Sequence, residues 1–156
     1  MSTLIDRTLL DQVSAAAKAS PRRRKNHNFH PADTHPAHRL LNAIEPGTYI
    51  PPHRHLDPLK AETMAVLRGA MGYVGFDEHG AIVTVARLEA GGALCGVDIA
   101  TGQYHALVAL APGTVFLEAK AGPYLPLTEA ERAPWAPLEN APEAAAYLEK
   151  LEALFA

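Results

Sequence analysis

A single cysteine, Cys95, leaves this 156-residue chain without an internal disulfide, so nothing in it asks for an oxidising compartment. An excess of positive charge is missing too. Fourteen Lys and Arg stand against 17 Asp and Glu, a formal net charge of −3, and the whole-chain balance gives no reason to expect nucleic acid as a partner. No apolar window is long enough to span a bilayer. The opening Met1-Ser-Thr-Leu-Ile-Asp-Arg7 lacks the basic region and continuous apolar run of a signal peptide. No membrane association and a cytoplasmic location are therefore the expectations. There is no internal repeat of solenoid length and no alternation of strand and helix patterns, which sets aside repeat and doubly wound folds.

What remains is ordinary for a globular domain: 48% apolar and 20% charged residues in one core-sized length. A single domain over 1–156 is expected, with a helix at about 3–19, a barrel at about 38–122, and a strap and helix at about 123–156. Thr3 can cap the first helix, with Asp6 three residues on and Leu9, Val13 and Ala17 at helical spacing. Pro21 ends it. The one dense positive run, Arg22-Arg-Arg-Lys25, is interleaved with His27, Asn28 and His30. It reads as a solvated connector or as an anion contact.

From Arg39 the pattern turns to short strands: Arg39–Glu45, Thr48–His55, Thr63–Leu67, Gly72–Phe76, Ala81–Leu88, Leu94–Ile99, Tyr104–Leu110 and Val115–Lys120. Asp77-Glu-His-Gly80, Glu45-Pro-Gly47 and Ala111-Pro-Gly113 supply turns. Eight short, closely spaced strands predict a mainly β fold, an antiparallel sandwich or small barrel. Beyond Tyr124 a proline-rich strap carries the only tryptophan, Trp135, as an anchor. A last helix then has Pro142 at its first position and puts Tyr147, Leu148, Leu151, Leu154 and Phe155 on one face. That apolar face and the edges of a small barrel point to packing on the barrel or to a homodimer.

The chemistry gathers in Gly47–Gly69. His53 and His55 are two apart, so on a strand both imidazoles face one side. Glu62 offers a carboxylate, and His105, in Gly102-Gln-Tyr-His105, is the best further candidate. Imidazole and carboxylate together are metal-ligand chemistry. His79 sits in a turn, and Cys95 is not tied to the motif.

Gly47-x5-His53-x-His55-x6-Glu62-x6-Gly69, followed by Gly102-x2-His105, resembles the two motifs of the cupin superfamily. Six residues separate His55 from Glu62, where the common pattern has three or four, and Ala100 and Ala109 replace its proline and asparagine. Ser20-Pro-Arg22, Asn28-Phe-His30, Arg39-Leu-Leu-Asn42, Pro52-His-Arg-His55, Glu118-Ala-Lys120-Ala-Gly-Pro-Tyr124 and Trp135-Ala-Pro137 narrow this. Over residues 18–139 they look like the WbuC family of cupin-fold metalloproteins, some of which are encoded among bacterial surface-polysaccharide genes.

The resemblance implies a cupin-type β-barrel (jelly roll) with a helix at each end. It implies a single divalent transition metal (Fe, Mn, Ni, Zn or Cu) on His53, His55, Glu62 and His105. Asp57, Asn42 and Glu118 are candidates to steady those ligands. From residue type and resemblance together, Arg22, Asn28, Arg39 and Lys60 are candidate substrate contacts, and Glu118 and Tyr124 candidate acid or base groups. The expected partner is a small polar molecule such as a sugar derivative. The expected chemistry is isomerase, epimerase or lyase-type, with two alternatives: a metal-dependent sensor without catalysis, and an Fe(II) dioxygenase.

Overall fold

In the computed structural model, residues 2–156 are described. The elements in order are α1 (Arg7–Ala19), β1 (Arg24–Asn28), β2 (Ala37–Ile44), β3 (Glu62–Arg68), β4 (Ala70–Phe76), β5 (Ile82–Glu89), β6 (Gly96–Ile99), β7 (Tyr104–Ala109), β8 (Thr114–Ala121) and α2 (Ala144–Glu152). The strands form two antiparallel sheets, one in the order β1-β2-β8-β3-β6 and a smaller one in the order β5-β4-β7. This is the two-sheet, jelly-roll form of the expected cupin-type fold rather than a closed barrel.

Alternation along β8 explains the layering. Phe116 and, with it, Glu118 and Lys120 point between the sheets, while Val115 and Leu117 point outward. The inner faces meet in a core of Ile44, Met64, Val66, Met71, Tyr73, Leu88, Leu107 and Phe116. The outer face of the five-stranded sheet is covered by α1, whose Val13 and Ala17 pack on Leu41, Ala43 and Val115. The outer face of the three-stranded sheet is covered by α2, with Leu148 and Leu151 against Val74, Ala106 and Val108. Sheets covered on both sides explain why β4 and β7 are buried along their whole length. Each large aliphatic or aromatic side chain so buried stabilises the fold by about 1.5–3 kcal/mol.

Several local expectations change. Asp6, not Thr3, caps α1, its carboxylate accepting from the Leu9 N–H at 2.9 Å. The basic segment is no free connector: Arg24–Asn28 is the edge strand β1, paired with β2 from Arg24↔Ile44 to Asn28↔Leu40. Conversely, Thr48–His55 is not a strand; only His53 makes bridges, to His105 and to Arg132. Pro51 and Pro52 remove two N–H groups in succession, so a ladder cannot run through them. At the C-terminus the regular helix starts at Ala144, two residues beyond Pro142. Its apolar face packs on its own chain, and Phe155 lies so close to Gly72 that a Cβ there would overlap its ring. Trp135 does anchor the strap, 4.7 Å from Phe76 and 5.9 Å from Tyr104 between ring centroids. Among the described residues no helix is long and apolar enough to cross a membrane.

Candidate metal centre

The segment after β2 reaches the inner sheet at a single residue. The His53 N–H donates to the His105 carbonyl at 3.1 Å, and the His105 N–H returns a bond to the His53 carbonyl at 2.9 Å. Residues paired in this way project their side chains to the same side, and the two ring centroids are 4.7 Å apart. Two residues on, His55 comes to the same place, its ring 5.4 Å from that of His53. Its carbonyl accepts from the Gly102 N–H at 2.7 Å, tying the segment to the turn before β7. Glu62, the first residue of β3, closes the group from the opposite sheet.

The donor atoms converge. One ligand atom from each of His53, His55 and Glu62 lies within 4.8 Å of the other two. Glu62 Oε1 is 3.2 Å from His55 Nε2, and Oε2 is 3.2 Å from His105 Nε2. The opposite ring atoms fix the tautomers. His53 Nδ1 is 3.0 Å from the Pro51 carbonyl and His105 Nδ1 is 3.0 Å from the Gln103 carbonyl. A carbonyl only accepts, so both Nδ1 atoms carry hydrogen and donate. In the neutral rings each Nε2 is then a bare lone pair. For His105 that lone pair faces a carboxylate oxygen at 3.2 Å in a buried site. His55 Nε2, Glu62 Oε2 and His105 Nε2 are all buried without a hydrogen-bond partner. Atoms of this kind repel one another unless a cation sits among them, and unsatisfied buried polar atoms are rare enough to need a cause. The donor set therefore fits a divalent transition metal, with the carbonyls of Pro51 and Gln103 orienting the rings.

Electrostatics point the same way. Burial first, and then the neighbouring His105, push the His53 pKa down to about 3, so this ring is neutral at physiological pH, the form that binds metal. Burial acts to raise the Glu62 pKa, and the Lys120 ammonium, 3.0 Å from Oε1, acts to lower it. Lys120 lies between two buried carboxylates, 3.0 Å from Glu62 Oε1 and 2.6 Å from Glu118 Oε1. Burial disfavours its charge, yet Glu118 and Glu62 raise its pKa above the ordinary lysine value. The Asn42 amide donates to the second oxygen of Glu118.

Three cavities meet at His53. One of about 360 Å³ lies between the sheets and is lined by Glu62, His105, Glu118, Lys120, Arg22 and Arg24 among others. A second of about 400 Å³ includes His55, Lys60, Lys120 and Tyr124. The third, about 670 Å³, runs under the strap past Arg22, Arg24, Tyr124 and Glu139.

The structure thus brings His53, His55, Glu62 and His105 together, with Glu118 on an adjoining wall. Tyr124 is at the rim, 59% exposed. Lys60 faces the second cavity, and its ammonium donates to the Pro123 carbonyl at 2.9 Å. Arg22 lines two of the cavities but is held by Glu139. Asn28 and Arg39 are not brought to the histidines. They line a separate cleft with His27 and Phe29, because Arg39 falls on the outward row of β2 and Asn28 ends the edge strand. Asp57 accepts from the Leu59 N–H within its own turn. Lys120 is not singled out by the sequence; its signal is the Glu118-x-Lys120 alternation, meaningful only once Lys120 is known to pair with Glu62 across β3 and β8.

The sequence profile of a domain of unknown function (DUF6016) matches residues 5–88, just over half of the chain. No protein of curated function matches the sequence. Among solved structures, a conserved Klebsiella pneumoniae protein with a double-stranded β-helix domain superposes with a TM-score of 0.53 at 19% identity, covering 79% of this chain and 91% of that one. KdgF from Halomonas gives 0.52 at 18% identity, covering 69% and 84%. A Streptococcus pyogenes protein of unknown function gives 0.52 at 10% identity, covering 78% and 90%. At these identities the likeness concerns the fold.

Proposed function

The chain belongs to the DUF6016 family, and we propose that it is a metal-dependent cupin enzyme acting on a small polar metabolite, with His53, His55, Glu62 and His105 as ligands. The observation that carries this reading is the cluster of three buried, partnerless ligand atoms on His55, Glu62 and His105. The motif resemblance to the WbuC family supports the metal; a sugar-derived substrate, in keeping with surface-polysaccharide metabolism, is part of the proposal.

When bound, a divalent metal with open positions supplies Lewis-acid polarisation of a carbonyl or hydroxyl oxygen. The residues around it do the rest. Pro51 and Gln103 hold the imidazoles through their Nδ1–H groups. Glu118, 2.6 Å from the Lys120 ammonium, faces the inner cavity and is placed to take a proton from a substrate carbon or hydroxyl there. Lys120 carries the positive charge that steadies it. Tyr124 and Lys60 border the second cavity, where the polar end of a substrate would lie. Isomerase, epimerase or lyase chemistry is the reading this arrangement supports.

The test follows candidate sugars and sugar derivatives by proton NMR in D2O with the metal-loaded protein. Metal-dependent solvent exchange, lost in Glu118→Gln, is the expected result. Saturable binding with no exchange of any candidate would favour a binding barrel without catalysis.

A further inference from the structure

We propose that Arg22 and Arg24 form an anion site at the entrance to the cavities that reach His53, and that Glu139 occupies it until a carboxylate- or phosphate-bearing ligand takes its place. This rests on the metal-centred reading above for what lies at the inner end of the cavity, but not for the site itself.

Glu139 is gripped twice. Arg22 Nε and a terminal nitrogen donate to its two oxygens at 2.8 and 2.7 Å, a fork-on-fork pair, and Arg24 adds a third contact at 2.8 Å. Planar bidentate recognition of this kind serves carboxylates and phosphates alike. Arg24 does not depend on Glu139 for its position. Its other terminal nitrogen donates to Thr48 Oγ1 at 3.2 Å and to the Tyr49 carbonyl at 3.1 Å. The Thr48 hydroxyl in turn donates to the Arg22 carbonyl at 2.7 Å. Between the two arginines, Arg23 has a φ of 55°, the left-handed region that a β-carbon disfavours. The chain accepts that cost where it presents two guanidinium groups to one point.

The carboxylate comes from a segment outside the strands and regular helices. Glu139 ends the strap, where Pro134 and Pro137 lack N–H groups and Leu138 is 61% exposed. Near it the strap is tied by the Tyr49 hydroxyl, which donates to the Pro137 carbonyl at 2.8 Å, and by the arginine clasp. Both arginines line the cavity under the strap and the inner cavity that also holds Glu62 and His105. If Glu139 withdraws, two cations face that space, and a ligand anion there restores the balance while its remaining groups extend toward His53.

Calorimetric titration of the full chain with inorganic phosphate, and separately with acetate, tests this at constant ionic strength set with chloride. It is run with and without added Zn(II), on wild type, Glu139→Gln, and Glu139→Gln combined with Arg22→Gln. The expected result is phosphate or acetate binding roughly tenfold tighter in Glu139→Gln than in wild type, a gain worth about 1.4 kcal/mol, and loss of that gain in the double variant. The stronger of the two anions shows whether the site takes phosphates or carboxylates. Equal affinity of wild type and Glu139→Gln, or a gain that survives removal of Arg22, overturns the proposal. Zinc heats on the same samples keep the two readings apart. A chain that takes no zinc contradicts the metal centre, and the phosphate and acetate isotherms without zinc still decide the clasp. If Glu139→Gln does not fold, the Nε resonances of Arg22 and Arg24 in wild type are followed instead. They move together on adding phosphate or acetate, and their staying fixed while chloride has no effect contradicts the site.

Discussion

His53 and His105 bond to each other through both backbone amides, at 3.1 and 2.9 Å. This one reciprocal pair docks an otherwise irregular segment onto β7 and sets two imidazoles side by side. The candidate metal centre is thus built from a two-residue contact and a strand end, with Lys120 and Glu118 behind it.

Lys120 is the first residue to remove. It is the shared counter-charge of two buried carboxylates, and taking out one partner of such a group leaves the others uncompensated. In metal-free protein, Lys120→Met is expected to lower unfolding stability in urea by about 3–5 kcal/mol. Adding Glu118→Gln recovers part of the loss, because the two sites share one interaction. Additive effects of the two changes would contradict the shared network.

Gly72 and Phe155 make a second pair. A Cβ at Gly72 overlaps the Phe155 ring, so Gly72→Ala is expected to cost about 1–3 kcal/mol, the range for overpacking. Combined with Phe155→Ala, the Gly72 substitution costs little further. A full penalty in the double variant would show that the strain lies elsewhere.

The clasp has a pH signature. Hydrogen bonding to Arg22, with Arg24 assisting, brings the Glu139 pKa down to about 2 from an ordinary 4.5. A carboxylate depressed on folding contributes stability that is complete above pH 4.5 and is lost as pH falls toward 2, where the folded state takes up the proton as well. The difference in urea midpoint between wild type and Glu139→Gln should therefore shrink between pH 6 and pH 2.5. A difference that stays constant over that interval would contradict the ion pairing.

The site is partly legible in the sequence. His-x-His spacing, Glu62 and the later Gly102-x2-His105 mark four residues that the fold brings together. A strand over Thr48–His55 is suggested by its β-branched and aromatic residues, and it does not form because Pro51 and Pro52 cannot supply a ladder. Arg24–Asn28 escapes a pattern-based reading for the opposite reason: an edge strand of Arg, Lys, Asn and His pairs through its backbone and shows no apolar alternation. Lys120 and Glu139 act through partners 58 and 117 residues away in sequence, and such pairings depend on register that no local pattern encodes.

The centre itself is tested most directly by metal analysis of purified wild type, His53→Ala and His105→Ala, with circular dichroism to confirm that each is folded. One divalent metal per chain is expected in wild type, with affinity reduced at least about tenfold in each variant, the scale seen even for residues that only support a ligand. Undiminished, stoichiometric metal in both folded variants would contradict the four-ligand centre.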